Sequence, residues 1–168
     1  AEMTREAFDI MRKLWTATEG FEYKGKFWSF RRPDYDDHEK GPFLRPYRRP
    51  YPPIGMAGIS PNSRTLALAG KLGCIPLSWR FGGEYLKSHW QMYKTEALKA
   101  GHDPNRFQWR VYPTFFVADT DEEAIRLVTT GEMARLWREY MIPGMIRRGL
   151  TSYGTNDAVV RDEEVTPE

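Results

Sequence analysis

The chain has 168 residues, 40% hydrophobic, 14% aromatic and 29% charged, which fits one domain with a sizeable core and excludes a disordered chain. Its 25 basic and 23 acidic residues leave a net charge of only +2, so nothing marks a dedicated nucleic-acid or membrane partner. One cysteine, Cys74, excludes an internal disulfide and a multi-cysteine metal site, and no apolar run approaches about 18 residues, so a soluble, cytoplasmic protein is expected.

In chain order, Met3, Ala7, Phe8, Ile10, Met11, Leu14 and Trp15 fall on one stripe at helical spacing, predicting a helix over about 4–17 that Gly20 closes. Two aromatic-rich runs then flank Lys24-Gly25, a hairpin signal over 21–30. From 31 to 52 the sequence reads as a proline-rich loop with an acidic cluster (Asp34, Asp36, Asp37) and the basic residues Arg45, Arg48 and Arg49. Alternation follows: a strand near 54–58, a helix over 61–72 ended by Gly73, and a strand over 74–79 in which Pro76 sits awkwardly. A helix over 84–99, a strand over 110–117 and a helix from Thr120 to about Met141 complete it, with Pro143-Gly144 as the stop. The regions are thus a helix (1–20), a hairpin and loop excursion (21–52), β/α units (53–141) and a lid or tail (142–168), all within one domain. Such βα alternation marks a parallel α/β sheet, and three strands are too few to bury both faces of one. The expected fold is therefore part of a (β/α)8 TIM barrel, which takes about 250 residues when whole.

The stretch Pro52-Pro53-Ile54-Gly55-Met56-Ala57-Gly58-Ile59-Ser60-Pro61-Asn62-Ser63-Arg64 organises the rest. A buried strand breaks at Gly58, and Ser60-Pro61 reads as N-cap and first residue of the next helix. Free N–H groups at such a helix start, with the helix dipole behind them, suit an anion, and Ser60, Ser63 and Arg64 add side-chain donors. An ordinary strand–turn–helix with a good cap explains the same residues.

Over about residues 5–127 the chain resembles the bacterial-luciferase-like, flavin-dependent monooxygenases. The resemblance is carried by the Pro52–Ser63 turn, and by the helix end at Ala69–Gly73 running into Pro76-Leu77-Ser78-Trp79. It is carried further by Tyr93 to Pro104, by Phe116–Ala124, and by the opening runs Ala7–Trp15 and Phe21–Trp28. It implies a (β/α)8 barrel with a flavin at the carboxyl ends of the strands. It also implies that Ser60 and Ser63 hold the flavin phosphate, that Gly58 and Ile59 lie beside the ring system, and that Trp79 ends a strand near it. No counterpart of the family's first four strands or last strand is found, so no catalytic acid–base residue is assigned. The segment from Ile142 would begin a lid over the site.

Other candidates weigh less. His38, His89 and His102 share no metal-ligand spacing and read as solvated or capping residues, and the acidic cluster lacks the glycine and distal Glu of a calcium loop. Cys74 reads as an inert buried thiol. The resemblance implies an enzyme that uses reduced FMN and O2 to oxidise a small, apolar organic substrate, with a flavin reductase as partner. An F420-dependent hydride-transfer enzyme is the alternative within the family. A non-catalytic flavin- or phosphate-binding half-barrel, or a subunit completing a barrel with another chain, is the alternative outside it; a homo-oligomer or a complementing half is an expected partner in either case.

Overall fold

A computed structural model describes residues 2–34, 45–79 and 83–150. The chain divides into two compact units, 1–54 and 55–168.

In the first unit, α1 (Glu2–Thr16) precedes a hairpin of β1 (Phe21–Lys24) and β2 (Ser29–Arg32). Aromatic pairing sets this ribbon: Tyr23 stacks on Phe30 across the strands with ring centroids 5.6 Å apart, and Phe21 meets Phe30 edge-on. The Glu6 carboxylate of α1 accepts from the consecutive backbone N–H groups of Lys26, Phe27 and Trp28 at 3.0–3.1 Å. That one side chain closes the hairpin turn onto the helix. The helix expected at 4–17 is therefore present, and so is the hairpin, with its turn at 25–28 and its second strand taking Arg31 and Arg32 from the expected loop. Residues 35–44 of the expected loop, with Asp36, Asp37 and His38, lie outside the described residues.

The second unit carries β3 (Gly55–Gly58), α2 (Arg64–Leu72), β4 (Ile75–Trp79), α3 (Gly83–Lys99) and β5 (Arg110–Tyr112). The strands form a parallel sheet in the order β3-β4-β5, each crossover supplied by a helix or by a helix and a short turn. Pro76 is accommodated because β5 pairs with β4 only from Leu77 onward, so β4 is an edge at Pro76 on that side. The core lies between the sheet and its helices: Leu66, Ala69, Cys74, Trp90, Tyr93 and Ala97 are buried there.

Three expectations are corrected. The second helix begins at Arg64, with Ser63 and not Ser60 as its N-cap, because Ser60-Pro61-Asn62 forms a turn in which Asn62 takes φ 52°. The third strand stops at Tyr112 instead of reaching 117; Pro113 cannot donate to a ladder, and Phe115, Phe116 and Val117 are exposed. The helix expected over 120–141 is not continuous and does not end at Pro143-Gly144. It runs as α4 (Asp121–Thr130), α5 (Glu132–Leu136), a π turn over Trp137–Met141 and α6 (Ile142–Ile146). The Ile142 N–H reaches back to the Trp137 carbonyl, and Pro143, which has no N–H to give, follows this widened turn in the first turn of α6.

Candidate functional site

The carboxyl ends of β3 and β4 meet a cavity of about 310 Å³ lined by Ile59, Trp79, Tyr140, Met141, Gly144, Met145, Arg147, Arg148 and Leu150. Strand alternation puts Trp79 on the cavity side, edge-on to Tyr112 of β5 at 6.0 Å between centroids. Ser78, one residue earlier, is buried on the opposite, helix-covered face. The π turn and α6 bring in the wall opposite the strands, Tyr140 to Leu150, with two guanidinium groups in a largely apolar lining. Volume and lining suit a small organic ligand with an aromatic body and an anionic part.

Beside the cavity runs the turn from β3 to α2. Gly58, buried at the strand end, must be a glycine, since a Cβ there would stand 2.5 Å from Ser63 Oγ and 2.6 Å from Leu66 Cγ. Ile59 is exposed toward the cavity. Ser60 is half-buried in the turn. The Ser63 hydroxyl is buried and accepts from the Leu66 N–H at 3.3 Å, which caps α2. The N–H groups of Arg64 and Thr65 have no acceptor within the helix, as at any helix start, and both side chains are exposed. Of the residues singled out from the sequence, the structure brings Ile59 and Trp79 to one cavity and puts Gly58, Ser60 and Ser63 in the adjoining turn, where the Ser63 hydroxyl accepts the capping N–H and keeps its own proton to donate.

His89 departs from the expected solvated or capping role. Its imidazole is completely enclosed between α3 and the sheet, with Nε2 2.8 Å from the Ser60 carbonyl oxygen and Nδ1 3.2 Å from Ser78 Oγ. Burial depresses its pKa below the ordinary 6.5, and the bond to the Ser60 carbonyl offsets this in part. The unfolded chain therefore binds the proton more readily than the folded one. His89 stabilises the fold fully above about pH 6.5, and that contribution is expected to fall as pH drops from there through the lower folded-state value. Denaturant titrations of wild type and His89→Gln between about pH 7.5 and 5 check this: the loss on acidification should be smaller in the variant.

His102 packs its ring against Gly73, and Cys74 is buried. Among the described residues no three His, Cys, Asp or Glu side chains gather as a metal site, and no helix is long and apolar enough to cross a membrane. Arg147 and Arg148 fall in the segment from Ile142 expected to begin a lid, whereas Tyr140 and Met141 were not singled out from the sequence. The signal available was Pro143 inside a helical pattern, which reads as a stop yet marks a widened turn aimed at the cavity.

Residues 1–166 match the family model described as luciferase-like monooxygenase. The 3,6-diketocamphane 1,6-monooxygenase of Pseudomonas putida is 36% identical over 172 residues, covering 99% of this chain and 44% of that protein. The 2,5-diketocamphane 1,2-monooxygenase 2 of the same organism is 31% identical over 84% of this chain and 40% of its own length. A solved structure described as a type II Baeyer–Villiger monooxygenase, the oxygenating constituent of 3,6-diketocamphane monooxygenase from P. putida, in complex with FMN, superposes with a TM-score of 0.82 at 35% identity, over 98% of this chain and 45% of that one. The monooxygenase RslO1 of Streptomyces bottropensis superposes over 80% of this chain and 42% of its own with a TM-score of 0.52 at 19% identity, a likeness of fold alone. The chain thus spans less than half the length of the relatives it matches, and its parallel β/α unit is part of a (β/α)8 barrel. On the match across residues 1–166, the chain belongs to the luciferase-like monooxygenase family.

Proposed function

We propose that this chain forms the flavin-holding part of an FMN-dependent monooxygenase that oxidises a small, apolar ketone with O2. The observation that carries the reading is the pairing of an apolar, aromatic cavity with a glycine-broken turn and helix start at the carboxyl ends of adjacent parallel strands. The bicyclic ketones named in the relatives, and the FMN of the matching structure, supply the substrate class and the cofactor.

The residues present fit that cofactor. The N–H groups of Arg64 and Thr65, the Ser60 hydroxyl and the Arg64 guanidinium form the donor set for a phosphate, with the dipole of α2 behind them. Gly58 and Ser63 hold the shape of the turn from behind, through close approach and the cap. Ile59 and Trp79 flank the ring system, and the apolar wall formed by Met141, Met145 and Leu150 limits water around it. When bound, reduced FMN supplies two electrons and two protons, so that one atom of O2 enters the substrate beside its carbonyl and the other leaves as water. The chain's own contribution is to bind, orient and keep dry. A flavin reductase as electron donor, a homo-oligomer or complementing half, and the cytoplasm as location belong to the same reading.

The test supplies the intact protein with chemically reduced FMN, ¹⁸O₂ and a bicyclic ketone. The expected product is a lactone carrying one ¹⁸O. Oxygen-independent turnover with F420, or no flavin-dependent product, would contradict the reading.

A further inference from the structure

We infer that His89, together with its neighbour Ser88, is a positioning residue for the β3–α2 turn, holding the Ser60 carbonyl away from the anion that the turn receives. The inference rests on the phosphate reading given above.

The Ser60 carbonyl fixes one donor role at His89. A carbonyl oxygen only accepts, so the Nε2 atom 2.8 Å from the Ser60 oxygen carries the proton. The indole N–H of Trp109 only donates, and it lies 2.8 Å from Ser78 Oγ. The Ser78 hydroxyl accepts from Trp109, and with burial keeping the ring neutral it gives its own proton to His89 Nδ1 at 3.2 Å. The neutral ring protonated at Nε2 satisfies both nitrogens, and burial disfavours the doubly protonated ring. Trp109 is itself fixed by stacking on Trp90 at 5.4 Å between centroids, next to His89 on α3.

Ser88 takes the other side of the same turn. Its hydroxyl oxygen accepts from the Asn62 N–H at 3.0 Å and donates to the Tyr85 carbonyl at 2.7 Å. Two consecutive residues of α3 thus grip the turn on either side of Pro61, one through a carbonyl and one through an N–H. Pro61 has no N–H of its own, and Asn62 adopts φ 52°. Rotation of the Ser60 peptide would swing the negative end of its dipole toward the donors of residues 60–65. The bond to His89 instead turns that oxygen toward the layer between helix and sheet, where it is part-buried.

Chemically, this predicts that loss of the Nε2 donor weakens binding of a phosphorylated flavin and spares an unphosphorylated one. The experiment measures binding of FMN and of riboflavin to the intact protein, by flavin fluorescence, for wild type, His89→Asn, His89→Gln and Ser88→Ala. Asn keeps a polar group near Nδ1 but cannot reach Ser60, whereas the Gln amide nitrogen reaches about where Nε2 stood. Expected is a loss of FMN affinity of about tenfold or more in His89→Asn, with riboflavin changed by less than about twofold. His89→Gln should recover to within about threefold of wild type, although both substitutions lower the melting temperature. Ser88→Ala, on the partly exposed side, should cost FMN about threefold to fivefold and serves should the His89 variants fail to fold. Equal losses in Asn and Gln variants, or equal losses for both flavins, would overturn the inference, as would an undisturbed Ser88→Ala. A wild type that binds FMN no more tightly than riboflavin would overturn the phosphate reading beneath it; discrimination in wild type that survives His89→Asn overturns this inference alone.

Discussion

Gly70→Ala is expected to destabilise the intact protein by about 3 kcal/mol or more, the upper end for overpacking a core. Gly70 lies where α2 crosses α3, and a Cβ there would meet the Tyr93 carbonyl oxygen far inside van der Waals contact and the Ala97 nitrogen at 2.9 Å. Both are backbone atoms of a helix and cannot step aside as a side-chain end would. The two helices must part, and with them Leu66, Ala69, Tyr93 and Ala97 lose their packing. Gly101→Ala is the control. Nothing lies within 4 Å of a Cβ there, but φ is +78°, so the cost is left-handed strain of about 1 kcal/mol. Urea denaturation of the two variants compares them. A Gly70 variant no less stable than the Gly101 variant would show that the helices do not approach so closely.

Trp79→Ala is the second large effect, on binding instead of folding. The indole lines the cavity and is held edge-on against Tyr112, so it offers a rigid aromatic wall to a flat ligand. Removing it is expected to weaken FMN and riboflavin alike by about tenfold to thirtyfold, the scale of one aromatic contact and its buried area. The parallel loss separates it from changes in the β3–α2 turn, which act through the phosphate. Titrating both flavins by fluorescence, with the melting temperature as a check on folding, decides the point. A loss for FMN alone would move Trp79 away from the ring system.

Much of this arrangement was legible in the sequence where local chemistry and tertiary demand coincide. Aromatic runs about Lys24-Gly25 make a hairpin because their rings pair across it. The break at Gly58 ends a strand because only a glycine fits against Ser63 and Leu66. The helix start was displaced by three residues because Ser60-Pro61 and Ser63-Arg64 are both good openings locally. What selects the second is the grip of Ser88 and His89 on the turn, contacts made across 26 and 29 residues of chain. The same limit hid His89, which on α3 looks like any polar helix residue until the sheet closes over it. Pro113 was the visible reason for the short third strand, outweighed in the sequence by the aromatic run that follows. Pro143 was misread more deeply. A proline normally ends a helix, but here an i→i+5 turn precedes it and Tyr140, Met141 and Arg147 on either side of it line the cavity.

A crystal structure of the intact protein with FMN tests the central claim most directly. It should show the phosphate within about 3 Å of the Arg64 and Thr65 N–H groups and the ring system beside Ile59 and Trp79. A phosphate held elsewhere, with the β3–α2 turn touching no part of the flavin, would contradict it.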